Sequence, residues 1–248
     1  MYVYILTTEP NSSKVQGIRN LFVEPEFLVL TKTPELLNIR ASNDQLRNHQ
    51  IGEISSFMAA LNEAPFNQDI IILKDNITTN LTATEIGTVI RSIQRYPNFD
   101  ICYLCRWLDR CDLLSDEVEI PGSMLKLART QMPNGSLALY VSKQGRGKLS
   151  TSSIFDPYAN TLSVGLTSQI VQGHINSIAT VPNLFHYDYL DARNKIDYVK
   201  THECRTPPNS VPPLFKEPLT TISFLWFILI VLGIIVIAYF VLRTPGPV

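Results

Sequence analysis

A run of 21 residues without a charged side chain, Ile222 to Leu242, constrains this chain more than any other feature. As an α-helix, the run would cover roughly 30 Å, which is the thickness of the hydrocarbon core of a bilayer. Trp226 and Tyr239 stand near its two ends, where aromatic side chains favour the membrane–water interface. The sequence therefore predicts one transmembrane helix at 220–242, with Ile222, Trp226, Tyr239 and Leu242 as membrane-anchor residues.

The position of this helix predicts a tail-anchored protein. Only residues 243–248 follow it, and residues 1–8 lack the basic and apolar regions of a signal peptide. A helix this close to the C-terminus leaves the ribosome only after translation has ended. We therefore expect the N-terminal domain to lie on the cytosolic side of a membrane, with the lipid bilayer and other proteins as its partners.

Composition divides the chain ahead of the helix into two parts. Residues 206–218 hold five prolines, a content typical of a stiff, extended spacer. The predicted organisation is an α/β domain at 1–204, a proline-rich spacer at 205–219, the transmembrane helix at 220–242 and a short tail at 243–248.

The charge balance excludes one large class of partners. The chain carries 21 basic and 22 acidic residues, for a net charge of −1. A protein that binds nucleic acid through its phosphates needs a basic surplus or a basic stripe. We therefore expect no nucleic-acid partner.

Hydrophobic patterning predicts strands that alternate with helices. A helix is expected at 52–63, and another begins at the capping box formed by Thr82 and Glu85. The predicted strands are 2–6, 27–30, 69–73, 99–104 and 137–141. Such alternation favours an α/β fold with a single, mostly parallel open sheet.

The cysteines and the acidic residues of the chain are not predicted to form a metal site or a catalytic site. A zinc site built from Cys102, Cys105 and Cys111 with His202 and Cys204 is conceivable, but the first two fall in an apolar strand, where free cysteine packs as a small hydrophobe. A cytosolic domain is also expected to lack disulfides. The pair Asp109 and Asp112 is interpreted as solvated surface, and the stretch 112–119, with four acidic residues, as a solvated loop.

Three segments, in this order, resemble the family-25 glycosyltransferases, the bacterial lipooligosaccharide glycosyltransferases and collagen galactosyltransferases that large DNA viruses also encode. Residues 51–61 read IGEISSFMAAL and are similar to the family's GEIGCxxSHL helix. Residues 70–77 read IIILKDNI and are similar to a strand that ends in LEDD. Residues 134–149 read NGSLALYVSKQGRGKL and are similar to GxxAYxxSxxGAxxL. The resemblance covers about residues 2–190.

The resemblance implies a nucleotide-sugar fold of the GT-A-like type and a divalent cation, usually manganese or magnesium, that neutralises the donor diphosphate. Carboxylates at the C-terminal end of a strand would hold that cation. Here the corresponding cluster is Lys74, Asp75 and Asn76, and Ala60 stands at the position of the family's histidine. Lys74 opposes cation binding by Coulomb repulsion, although a lysine could contact the diphosphate directly without a metal. Asp75 is the one carboxylate that remains as a candidate contact to a donor.

These departures predict a pseudoenzyme that keeps the fold and has lost the chemistry, with no cofactor and no metal. The corresponding hypothesis is a structural or scaffolding role, such as a minor capsid protein or a protein that links an inner virion membrane to the shell. Two alternatives stay open. One is a divergent active glycosyltransferase that uses a UDP-sugar with Mn²⁺ or Mg²⁺, and the other is an adaptor that binds a nucleotide sugar or a glycan without turning it over.

Overall fold

The computed structural model describes residues 1–22, 26–33, 45–107, 109–151 and 161–188, with only the backbone described for 45–49. The strands are β1 (Tyr2–Leu6), β2 (Leu28–Lys32), β3 (Ile70–Lys74), β4 (Ile77–Thr78), β5 (Ile101–Cys105), β6 (Leu114–Glu119), β7 (Lys126–Thr130), β8 (Ala138–Val141), β9 (Ser177–Val181) and β10 (His186–Tyr187). The helices are α1 (Ser13–Arg19), α2 (Gln45–Glu63), α3 (Ala83–Arg95), α4 (Lys143–Ser150) and α5 (Leu162–Val171), with one 3-10 turn at Cys111–Leu113.

The described residues form a mixed α/β fold around an eight-stranded sheet in the order β2-β1-β3-β8-β5-β9-β7-β6. The prediction of a mostly parallel sheet needs correction, because only three of the seven strand pairs in this sheet are parallel. Strands β8 and β7 run against the other six. The apolar run of β8 is typical of a strand that is buried on both faces. Such a run is the same for a parallel and an antiparallel strand, so the hydrophobic pattern does not reveal the direction of β8.

Two helical layers cover the sheet, one on each face. Successive side chains of a strand point to opposite faces, and β1 follows this rule. Val3 and Ile5 pack with residues of α1 and α3, whereas Tyr4 and Leu6 pack with residues of α2, α4 and α5. Both layers are fully apolar at their centres, which explains why β1, β3, β5 and β8 are continuous hydrophobic runs.

The predicted capping box at the start of α3 is confirmed. The Thr82 backbone N–H donates to Glu85 Oε2 at 2.7 Å, and the Glu85 N–H donates to Thr82 Oγ1 at 3.3 Å. The predicted stripe of the helix is also confirmed, because Ile86, Val89 and Ile90 are buried together with Ile93.

The prediction of a loop for the acidic stretch is wrong, because most of the stretch forms an edge strand. Most of β6 is exposed, and β6 pairs only with β7 among the described strands. A bulge interrupts this pairing between Ser115 and Val118, and Asp116 has a φ of 51°. Exposed charges and bulges are common on edge strands because they discourage pairing with other chains.

Several predictions fall outside the described residues. The proline-rich spacer, the transmembrane helix and the short tail lie wholly there, as does Cys204. The described residues all fall within one compact unit, Met1–Arg205, and residues 206–248 lie outside the described part. Within the described part of the chain, no helix is both long enough and apolar enough to cross a bilayer.

Candidate functional site

The candidate site lies where β1 and β3 end and β8 begins. The first two strands are parallel neighbours, so their C-terminal ends meet at one edge of the sheet, and antiparallel β8 starts at the same edge. We call this region the C-terminal edge and define it by Glu53, Lys74, Asp75, Asn76 and Ser136.

Lys74 is held in an ion pair with a carboxylate of α2. Its Nζ lies 2.7 Å from Glu53 Oε1 and donates to Ser136 Oγ at 3.3 Å. The Ser136 hydroxyl donates to the same Glu53 oxygen at 2.6 Å. The Lys74 and Glu53 side chains are only 18% and 12% exposed, so the pair is partly desolvated. The positive charge of the C-terminal edge is therefore neutralised within the protein.

Asp75 is the first residue after β3, and its contacts differ from those of Lys74. Its Oδ2 accepts a hydrogen bond of 2.6 Å from the hydroxyl of Thr7, the residue that follows β1. The Thr7 oxygen in turn accepts the Glu9 N–H at 2.9 Å. This carboxylate therefore ties β3 to the loop that leads into α1.

Asn76 lies between β3 and β4 and connects the edge to the two-stranded ribbon of β4 and β10. Its carbonyl oxygen accepts the Asp188 N–H at 2.7 Å. The side-chain oxygen of Asn76 is buried and makes no hydrogen bond to the described residues. The Asp188 carboxylate lies 3.5 Å from Lys14 Nζ at the start of α1.

Ala60 is not at the C-terminal edge. It is fully buried in the core between α2 and the sheet. Seven residues separate it from Glu53, which corresponds to roughly 10 Å along a helix. The structure therefore brings Lys74, Asp75 and Asn76 together and leaves Ala60 in the hydrophobic packing.

Sequence reasoning missed a buried ion pair just beyond β5. Arg106 Nη1 donates to Asp109 Oδ2 at 3.0 Å, and both side chains are inaccessible to solvent. Burial raises the pKa of the Asp109 carboxyl, and the Arg106 guanidinium opposes that shift. The prediction that Asp109 is solvated is therefore wrong. Asp112 is exposed, and its Oδ2 lies 2.6 Å from Arg110 Nη2. An arginine three residues before an aspartate, after a buried strand, is the sequence signal for this pair.

Two cysteines behave as predicted and one does not. Cys102 and Cys105 are buried thiols of β5, and burial raises the pKa of the Cys102 thiol. Cys111 is disulfide-bonded, which contradicts the expectation of no disulfides. Its sulfur also accepts a hydrogen bond from Arg106 Nη1 at 3.3 Å. Among the described residues, no group of three or more His, Cys, Asp or Glu side chains is arranged to hold a metal ion.

Comparisons with known proteins find only distant likenesses. No protein-family model and no curated protein sequence matches the chain. Among solved structures it is similar to the viral protein A197 from STIV, with 10% sequence identity and a TM-score of 0.39, over 74% of this chain and 82% of the other. It is also similar to apo-UDP-glucose pyrophosphorylase, with 7% identity and a TM-score of 0.36, over 76% and 73% of the two chains.

A third similar structure is UDP-glucose pyrophosphorylase complexed with UDP-glucose, with 8% identity and a TM-score of 0.31, over 76% of this chain and 72% of the other. TM-scores this low carry no argument about fold or activity. The resemblance to the family-25 glycosyltransferases therefore stays a prediction that rests on its three segments.

Proposed function

We propose that this chain is a GT-A-like glycosyltransferase domain that has lost sugar transfer and now serves as a membrane-tethered structural or scaffolding protein. The observation that carries the proposal is the Lys74–Glu53 ion pair at the C-terminal edge. Open α/β sheets bind their ligands outside the C-terminal ends of the strands, so this edge is where a donor would lie.

The ion pair disfavours a complex of metal and diphosphate at this edge. A divalent cation would meet the Lys74 ammonium, which repels it. A diphosphate that drew Lys74 away from Glu53 would leave a largely buried carboxylate without its partner. Either route costs free energy that an acidic cluster at the same place would not cost.

The remaining carboxylate cannot join Glu53 around one ion. Asp75 lies in the turn after β3, and its carboxylate is already engaged by a different part of the chain from the one that holds Lys74. Glu53 approaches Lys74 from α2, whereas Asp75 bonds to Thr7 on the side of α1. The two carboxylates therefore do not converge, although hard cations prefer several oxygen ligands.

The proposed role follows from the predicted anchor. A proline-rich spacer at 205–219 would place the domain within a few nanometres of a bilayer, where it could hold a capsid or membrane protein. A minor capsid protein, or a protein linking an inner virion membrane to the shell, is the form of this role that we propose.

The loss of chemistry is tested by measuring UDP-sugar hydrolysis with the full chain in detergent and with Mn²⁺ present. We expect no turnover above background for the unmodified chain. Turnover that Asp75→Asn abolishes, and that the exposed control Asp116→Asn leaves intact, would show a working donor site and overturn the proposal.

The anchor is tested separately by alkaline extraction of membranes that contain the full chain. We expect the unmodified chain to remain in the membrane pellet. Replacing both Leu229 and Leu232 by arginine is expected to release it, because each arginine at the centre of a span costs roughly 2.5–3.5 kcal/mol of insertion free energy. Release of the unmodified chain would contradict the proposed tether.

A further inference from the structure

A second cleft lies at the opposite end of the sheet, ahead of the first residues of β3 and β5. The loop before β3, the loop between α3 and β5, and the start of α4 enclose a cavity of about 320 Å³. We call it the amide cleft and define it by Asn67, Asp69, Gln94, Tyr96, Asn98 and Gln144. Ligand sites commonly measure roughly 300–1,000 Å³, so this volume suits one small ligand.

Side-chain amides are the most frequent groups of the lining. Four of the nine lining residues are asparagine or glutamine, and all four are exposed. Each amide carries two donors on its nitrogen and an acceptor on its oxygen. A ligand that matches this lining must also donate and accept hydrogen bonds at several neighbouring positions, as the hydroxyl groups of a sugar do.

The charge of the amide cleft is balanced. Asp69 supplies one negative charge, and Lys143, at the start of α4, supplies one positive charge beside it. The backbone N–H of Lys143 donates to Asp69 Oδ1 at 2.7 Å, so the Asp69 carboxylate lies at the N-terminus of α4. An anionic ligand would meet Asp69 and a cationic ligand would meet Lys143, so a neutral ligand is favoured.

A buried tyrosine organises the floor of the cleft. Tyr140 is fully buried, and its hydroxyl donates to Asp69 Oδ2. Burial raises the pKa of this hydroxyl, so it stays protonated and keeps its donor role at every physiological pH. The Asp69 side chain is thus fixed by a residue of the core, and such preorganisation reduces the entropy cost of binding.

One wall of the cleft combines an aromatic ring with an unusual backbone conformation. The Tyr96 ring packs edge-on against buried Phe99, with ring centroids 6.3 Å apart. Between them, Asn98 has a φ of 54°, in the left-handed region. Asparagine tolerates this conformation better than most residues, yet it still has an energetic cost, and such costs are often found at binding sites.

We propose that the amide cleft binds a neutral carbohydrate, with the amides and Asp69 hydrogen-bonding its hydroxyls and Tyr96 contacting the ring. This inference does not depend on the proposed loss of sugar transfer, because the two sites lie at opposite ends of the sheet.

The probes for this proposal are the methyl glycosides of glucose, galactose, mannose and N-acetylglucosamine, offered at millimolar concentration. Binding is measured by saturation-transfer NMR on the full chain, in a detergent that has no sugar headgroup. We expect at least one glycoside to bind. Absence of binding by all four glycosides, or binding of inorganic phosphate in their place, would overturn the proposal.

Three variants locate the binding. Gln94→Ala and Asn98→Gly each remove one amide and should weaken binding roughly fivefold, the effect of one neutral hydrogen bond. Asn98→Gly also keeps the fold, because glycine adopts a positive φ readily. Gln131→Ala removes an exposed amide beyond β7, outside the cleft, and should leave binding unchanged. Equal affinity of all three variants for the glycoside would place its site elsewhere and contradict the proposal.

Discussion

The two ends of the central sheet each hold a largely buried cation, and the two cations are paired in different ways. At the C-terminal edge, Lys74 pairs with the side chain of Glu53. At the opposite end, Arg146 pairs with the main chain. Arg146 is buried there, and its guanidinium donates to the carbonyl oxygens at the end of α2 and in the turn that follows, which belong to Leu61, Ala64, Pro65 and Gln68.

The two kinds of pairing differ in what a substitution can replace. When a side chain donates to a buried backbone carbonyl, removing that side chain leaves the carbonyl without a donor. A substitution at the carbonyl's own residue cannot remove this cost, because every residue type carries the same backbone carbonyl. A pair of side chains can instead be replaced together, with little cost beyond the lost packing. We therefore expect substitutions ahead of β3 and β5 to destabilise the fold more than substitutions at the C-terminal edge.

The largest effect is expected for Arg146→Met. This substitution leaves several buried carbonyl groups without a donor, each at a cost of about 1–3 kcal/mol, so the free energy of unfolding should fall by about 3–5 kcal/mol. Arg146→Lys should recover only part of this, because an ammonium lacks the planar fork of donors. Urea unfolding of the full chain measures the free energy of unfolding of both variants. A loss below about 1 kcal/mol for Arg146→Met would contradict the claim that this end of the sheet is the more sensitive to substitution.

A smaller effect at the same end is expected for Gly145→Ala. A Cβ atom at this position would lie 2.0 Å from the carbonyl oxygen of Asp100, where α4 approaches β5. Overpacking of this kind typically costs about 1–3 kcal/mol. Gly147 in the same helix has no neighbour within 4 Å of such an atom, so Gly147→Ala should instead stabilise by about 0.5–1 kcal/mol. Equal effects of the two variants on the unfolding midpoint would show that the helix does not approach β5 this closely.

The ion pair of the C-terminal edge is expected to give a still smaller net effect. Lys74→Met and Glu53→Gln should each destabilise by roughly 1–2 kcal/mol, because each leaves a partly buried polar group without its partner. The double variant should cost less than the sum, with a coupling free energy of about 1 kcal/mol. Unfolding of the four proteins of this cycle measures the coupling, and additive effects would mean that the pair does not form.

The smallest effect concerns pH and His186 of β10. Burial lowers the pKa of this histidine below its ordinary value of 6.5, so the unfolded chain takes up a proton more readily than the folded one. Stability is therefore complete above about pH 6.5 and should decline as the pH falls towards the lowered pKa. His186→Asn should flatten this decline in unfolding experiments between pH 7 and about pH 5, and a variant with the same pH dependence as the parent would rule out this histidine as its source.

Local patterns allowed much of the architecture to be predicted. Strand β1 and the capping box of Thr82 and Glu85 depend on residues that are neighbours in the sequence, and both predictions are confirmed. The helix expected at 52–63 is present within α2, which begins earlier, at Gln45. Strand β6 was not predicted because most of its residues are exposed, which removes the alternation that marks a strand.

Features that depend on distant residues could not be predicted. The direction of β8 and the burial of Arg146 and Arg106 depend on neighbours 65 to 85 positions away in the sequence. The charge at Lys74 was apparent in the sequence, but its neutralisation required Glu53 to be placed beside it by α2. At the candidate site, sequence analysis thus identified the residues, and the fold determines which of them meet.

The most direct test of the account is a calorimetric titration of UDP-sugars onto the full chain in detergent, with and without Mn²⁺. The Lys74–Glu53 ion pair predicts no binding heat in either condition at millimolar donor. Metal-dependent binding that Asp75→Asn removes would contradict this prediction, since it would show that the C-terminal edge still accepts a cation and a diphosphate together.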